Sequence, residues 1–188
     1  MRDRHVEKKS ASLEGKRLAY VACGSIGVVE SVRIIRELRR HGALVTAFPT
    51  RGALAFLTAE AFAWATERPA VIEASAAVEY LDPFDGVVLA PLTLNSLAKV
   101  ALGLADSAAM LVVATAFGNQ TPVLCVPTMH AAMRQHPCYG EYRARLESWG
   151  ATFLEVEEQE GRQKMPPPEL IAEATIQCLA KQNSPTRS

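Results

Sequence analysis

RLAYVACGSIGVVESVRIIRELRRHGALVTAF, residues 17–48, opens with a short apolar run, Arg17 to Cys23, that stops at Gly24-Ser25. A buried strand entering a tight turn has this pattern. From Val28 to Arg40, Val29, Val32, Ile34, Ile35 and Leu38 recur at helical spacing, with Arg33, Glu37, Arg39 and Arg40 between them. His41-Gly42 then ends the helix, and residues 43–48 read as a second strand. Strand, turn, helix, strand is the opening unit of a parallel α/β sheet.

The same alternation continues down the chain. A turn at Pro49-Thr50-Arg51-Gly52 leads into a helix over 53–65, and residues 66–85 are irregular. A continuous apolar strand, 86–90, ends at Pro91 and is followed by helix over 92–104 and again from Asp106. Residues 122–126 form another buried strand. Helix follows over 130–149 with a break at Pro137, then a last strand over 151–156 and a last helix over 168–181. Short apolar strands alternating with helices imply a three-layer, doubly wound parallel α/β sheet of Rossmann-like type. The expected organisation is a flexible polar arm over 1–16, one domain over 17–182 and a tail over 183–188, without internal repeats.

Composition excludes several functions. Among 188 residues, 20 Lys+Arg balance 20 Asp+Glu, whereas a nucleic-acid binder normally carries a clustered basic excess. With 49% hydrophobic and 21% charged residues, the chain is not disordered. Cys23, Cys125, Cys138 and Cys178 form no CxxC pair, so neither a metal site nor a redox dithiol is expected. The charged N-terminus has no apolar segment of the secretory kind. Residues 100–117 carry a single charge, Asp106, but fall short of the about 20 apolar residues that span a bilayer. They read as a helix buried in the core or in a subunit interface, and the protein as cytoplasmic, with no membrane partner.

In an open parallel sheet the ligand crevice lies beyond the carboxyl ends of the strands. Four such ends are legible: 23–27, 49–52, 90–96 and 126–130, all rich in Gly, Ser, Thr or Asn. Taken singly, Ser25, Thr50, Thr93 and Ser96 are as well explained as helix N-caps. Together at successive strand ends they favour a phosphate-bearing cofactor, because small residues admit a phosphate and hydroxyls donate to it. Neither GxGxxG nor GxxxxGK[ST] occurs, so a dinucleotide or triphosphate site is not indicated.

Three ordered blocks extend this reading. APLTLNSLAKVALGLADSAAM (90–110) matches P-x-S-A-N-T-x-x-K…G-x-x-D through Pro91, Thr93, Asn95, Ser96, Lys99, Gly103 and Asp106. VPTMHAAMRQHP (126–137) matches P-x-M-N-x-x-M through Pro127, Met129 and Met133, and GRQKMPPPELI (161–171) is similar to G-x-x-x-M-x-x-P-x-x-I. With residues 23–58, these blocks resemble the homo-oligomeric flavin-containing cysteine decarboxylases over about residues 15–180. The resemblance implies FMN bound at the interface of a trimer or dodecamer. Gly24, Ser25 and Ile26 would line the first FMN loop, Thr50 the second, and Thr93, Leu94, Asn95 and Ser96 the third, with Thr128 against the flavin.

The chain also departs from that pattern. Ala77 stands where the decarboxylases carry a His, His130 replaces the Asn of P-x-M-N, and 157–164 lacks the lid Cys. The expectation is a flavin-dependent lyase or oxidoreductase acting on a small thiol or carboxylate, with His130 as general acid or base. The alternatives are a non-catalytic FMN carrier or regulatory subunit, and a flavin prenyltransferase-like enzyme. Met129 and Met133, at i and i+4, would share a helix face packed on the domain, turning His130 about 100° away toward the crevice.

Overall fold

The computed structural model describes residues 5–74, 83–154, 158–159 and 162–182. Its main sheet has five parallel strands: β1 (Arg17–Ala22), β2 (Leu44–Pro49), β3 (Gly86–Leu92), β4 (Val123–Pro127) and β5 (Thr152–Phe153), in the order β2-β1-β3-β4-β5. Side chains alternate along the strands into two cores. Leu18, Tyr20 and Ala22 of β1 pack with Ile34, Ile35 and Leu38 of α1 (Ser31–Arg40), Phe62 of α3 (Ala59–Thr66) and Ile171 of α8 (Pro168–Gln182). Ala19, Val21 and Cys23 face Leu97 of α4 (Leu94–Ala101), Val113 of α5 (Ala108–Gly118) and Leu146 of α7 (Pro137–Ser148). This is the doubly wound Rossmann-like sandwich, buried on both faces as a parallel sheet must be.

Connections are where sequence and structure differ. The helix expected from Val28 begins as a 3-10 turn, Ile26–Glu30, and becomes α-helical at Ser31. The apolar run 100–117 is two elements, because α4 ends at Ala101 and α5 starts at Ala108 with Ser107 as N-cap. Ala108, Ala109, Met110, Val112, Val113 and Ala116 are buried within the chain, so the core itself accounts for most of α5's apolarity. The break at Pro137 is present: α6 (Ala131–Arg134) is a single turn, and α7 starts on Pro137 with the His136 side chain accepting from the Cys138 amide. The last strand keeps two residues of the expected six, and residues 155–157 lie outside the described residues. A small antiparallel pair, β6 (Glu158–Gln159) and β7 (Arg162–Gln163), precedes α8. None of the helices among the described residues is long and apolar enough to cross a membrane.

The polar segment before β1 is not loose over its described residues. Leu13 is buried, and its amide donates to the His41 carbonyl at 2.8 Å, while the Lys9 amide donates to Arg40 at 2.7 Å. Gly42 ends α1 at φ +96, and a Cβ there would meet the Glu14 Cα at 2.8 Å, so glycine lets the segment close over the helix end. The Glu37 carboxylate, 1% exposed, takes Lys9 Nζ at 2.6 Å and Arg40 at 2.8 Å. A charge-rich sequence hid this docking, because one leucine and one buried carboxylate carry it.

Burial alone would raise the Glu37 carboxyl, but the hydrogen bonds from Lys9 and Arg40 outweigh it and hold the group below the usual carboxylate range. A depressed folded-state value contributes stability that is complete at neutral pH and is lost as the pH falls through and below the ordinary value of about 4. Glu37→Gln should therefore cost about 1–3 kcal/mol at pH 7 in urea unfolding. The gap to the parent chain should narrow as the pH is lowered toward 3.

Candidate flavin site at the strand ends

All four long strands deliver their carboxyl ends to one edge of the sheet. In the order 2-1-3-4-5 the chain direction reverses across β1 and β3, and the loops there part to leave a crevice. A cavity of about 680 Å3 occupies it, within the range of small-molecule and cofactor sites. Its wall comes from the loops after β1 (Gly24, Ser25), β2 (Thr50, Arg51, Gly52), β3 (Thr93–Ser96) and β4 (Thr128–His130).

Two glycines set its floor. A Cβ on Gly24 would stand 2.7 Å from the Gly52 carbonyl carbon, so the first two loops cross with backbone on backbone. Thr50 and Thr93 cap the helices that leave the site, α2 (Arg51–Leu54) and α4: Thr50 Oγ1 accepts from the Ala53 amide at 3.2 Å and Thr93 Oγ1 from the Ser96 amide at 3.3 Å. The Thr93 hydroxyl in turn lies 3.3 Å from Ser96 Oγ. Capping and ligand binding are thus compatible roles for these side chains. Ser25 differs. It stands at an N-cap position without a capping bond, and its Oγ is buried without a partner. A buried orphan hydroxyl is costly, and because Ser25 lines the cavity a bound ligand could supply the missing partner.

Gly24, Ser25, Thr50, Thr93, Leu94, Asn95, Ser96, Thr128 and His130 all line the cavity. Ile26 does not, and it is 63% exposed. The helical-face reasoning for His130 also fails in its premise. Met129 is buried, but Met133 is 54% exposed and itself lines the cavity. His130 reaches the wall as the extended N-cap of a one-turn helix, so the strand end and not the helical period aims it. Ala77 lies outside the described residues, as do 157, 160 and 161 of the expected lid.

The structure adds residues that the sequence reading left out as site residues. Glu73, from the irregular stretch, pairs with Arg51 at 2.8 Å, and both line the cavity. Lys99 and Asp106, also on the wall, pair with each other. The hydrogen bond from Lys99 holds the Asp106 carboxyl below its usual range. Both belong to the 90–110 block, so their pairing could have been inferred from it, whereas nothing in the sequence placed Glu73. Beneath the floor, burial pushes the Cys23 thiol up to about 11, against hydrogen bonding to Ser96 and the Thr93 backbone, which keeps it neutral. Among the described residues no group of three or more His, Cys, Asp or Glu is placed to hold a metal ion.

A family model described as Flavoprotein matches residues 6–180, and the chain belongs to that family. It is 35% identical over 178 residues to the coenzyme A biosynthesis bifunctional protein CoaBC of Thermococcus kodakarensis, covering 91% of this chain and 44% of that protein. The CoaBC of Mycolicibacterium smegmatis is 32% identical over 146 residues, 74% of this chain and 34% of that one. The chain thus spans less than half the length of these curated relatives. Among solved structures, the FMN-dependent cysteine decarboxylase SpaF superposes with TM-score 0.77 at 24% identity, covering 88% of this chain and 98% of that one. A PPC decarboxylase mutant complexed with pantothenoylaminoethenethiol gives 0.74 at 22%, covering 85% and 95%. The FMN binding protein AtHal3 gives 0.73 at 20%, covering 92% and 98%. These structural likenesses establish the fold.

Stability measurements on the ligand-free chain test the floor. Gly24→Ala forces a methyl into backbone and should cost about 1–3 kcal/mol in denaturant unfolding. Ser25→Ala removes an orphan hydroxyl and should leave stability within about 1 kcal/mol of the parent, or raise it.

Proposed function

We propose that the chain binds FMN in this cavity and is a decarboxylase-like flavoenzyme acting on a small thiol- or carboxylate-bearing substrate. The observation that carries the reading is the unpartnered Ser25 hydroxyl, set beside the Thr50, Thr93 and Ser96 hydroxyls where four strands end. The residues fit the group. The crossed backbones at Gly24 and Gly52 hold the first two loops together, and Ser25, Thr50, Thr93 and Ser96 supply neutral donors for a phosphate. The formal charges on the described wall are paired, Arg51 with Glu73 and Lys99 with Asp106, so hydroxyls and amides would do most of the holding. Leu94, Asn95 and Thr128 would meet the remainder of the cofactor.

Bound FMN supplies a two-electron acceptor. The chain's own part is to place the substrate against it and to move a proton, and the His130 imidazole, exposed on the wall, can donate or accept one. Met129 and Met133 give the same corner an apolar, adaptable lining. The exposed Ile26, next to Ser25 in the chain, and the exposed Met133 on the cavity wall support a site completed by another copy, as in a trimer or dodecamer in the cytoplasm. A second reading, an FMN carrier without turnover, is favoured by Ala77 and the Cys-free 157–164 stretch.

The purified protein should carry FMN, identified by absorbance and mass of the released cofactor. A colourless protein indifferent to added FMN would overturn the proposal. Ser25→Ala should weaken FMN about tenfold, the scale of one hydrogen bond to a charged group. His130→Ala should keep FMN and oligomer size in light scattering, while turnover of a cysteine-terminated peptide falls about a hundredfold. Anaerobic flavin reduction by that peptide separates enzyme from carrier.

A further inference from the structure

Among the described residues the cavity wall carries two ion pairs, and they are not alike. Lys99 meets Asp106 within the 90–110 block, and the lysine side chain is only 31% exposed. Arg51 meets Glu73 from a separate segment, and both side chains are well exposed, at 85% and 64%. The second pair is also poorly matched. Arg51 turns the edge formed by Nε and Nη2 toward Glu73, but both donors share a single oxygen, Oε1, at 3.3 and 2.8 Å. A guanidinium edge is shaped to hold two oxygens of one anion in parallel bonds, and that arrangement is the stronger one. We propose that Glu73 stands in for a ligand: a carboxylate or phosphate group on a ligand other than the cofactor takes the Nε and Nη2 edge of Arg51, and Glu73 is the internal competitor that it displaces.

Position, cost and chemistry agree on this exchange. Arg51 is the first residue of α2, and the Thr50 cap fixes its backbone beside Gly52, where the second loop crosses the first. The guanidinium is thus carried by an ordered element, while the carboxylate belongs to the irregular stretch. Val71, two residues before Glu73, ties that stretch to the sheet through its amide, which donates to the Ala47 carbonyl at 2.9 Å. Exposed ion pairs contribute little stability, so giving up Glu73 costs the fold little. Inside the cavity a ligand anion has less water competing for it, and a charge-assisted bond is stronger there. The proposal rests on reading the cavity as the flavin site: with neutral hydroxyls serving the cofactor's phosphate, the Arg51 edge is left for a second anion. Selectivity follows, because an ester or amide of the same shape cannot outbid the Glu73 carboxylate.

The test titrates inorganic phosphate, and separately acetate, into the FMN-loaded protein by calorimetry, for the parent, Arg51→Gln, Glu73→Gln and the double variant. Both side chains are exposed, so the thermal midpoints should stay with that of the parent. Glu73→Gln should tighten the anion about fivefold, the upper scale of an exposed ion pair. Arg51→Gln should weaken it at least tenfold, and the double variant should match Arg51→Gln, because a competitor matters only while its target is present. Whichever anion shows the larger gain that depends on Arg51 names the ligand's anionic end. The proposal is overturned if Glu73→Gln gives no saturable binding or no gain over the parent. It is overturned as well if Glu73→Gln tightens binding equally in the Arg51→Gln background, since the effect would then be one of overall charge. A tenfold loss of preference for FMN over riboflavin in Arg51→Gln would also overturn it, because the cofactor's own phosphate would be the occupant. Should the protein take up no FMN, the flavin reading fails, while the same titrations on the ligand-free chain still decide whether Glu73 competes for Arg51.

Discussion

Everything in this chain hangs on β1 being paired along both edges, with β2 on one side and β3 on the other, while its residues from Leu18 to Ala22 are sealed from solvent. Parallel pairing requires that each return to the sheet be made through a crossover, and here helices cover both faces. The strands must then all finish at the same edge. With β1 and β3 adjacent and the direction of travel reversing between them, the loops that follow them are pushed apart there. The cavity is thus a consequence of topology before it is a matter of particular side chains.

Side chains then refine what topology provides. The loops converge tightly only where Gly24 crosses Gly52, and the hydroxyl residues that cap the outgoing helices face the opening. Formal charge on the described wall sits in two ion pairs, and exposed pairs of this kind contribute little stability. Their effect is on the field inside, which is left close to neutral. An anion entering meets oriented dipoles instead of bare cations, an arrangement that favours a defined geometry over long-range attraction.

The sheet and most helices were legible because their signal is local. Apolar runs such as 86–90 can hardly be anything except buried strands, and Thr50 and Thr93 announce the helices that follow them. The site was legible for a related reason, since residues at strand ends need no knowledge of long-range contacts to be grouped. What escaped was non-local or ambiguous in period. The break inside 100–117 is wider than the sequence reading, which resumes helix at Asp106 directly after Leu104, because the leucines and alanine of 102–105 carry helical character and no proline marks the stop at Ala101. Docking of the N-terminal segment depends on Leu13 and Glu37 meeting partners far along the chain. Glu73 is placed on the cavity wall by the path of an irregular segment, which no periodicity encodes.

The isolated Ser25 hydroxyl also bears on how long the protein lasts in a cell. A ligand that satisfies it binds the folded chain and not the unfolded one, so occupancy adds to folding free energy by mass action, about 2.7 kcal/mol at a hundredfold excess over the dissociation constant. Protease attack on transiently opened molecules follows that free energy when reclosing is fast. Copies synthesised while the ligand is scarce would be cleared sooner than those made in plenty. The amount of protein present would then follow ligand supply, with no transcriptional sensor needed.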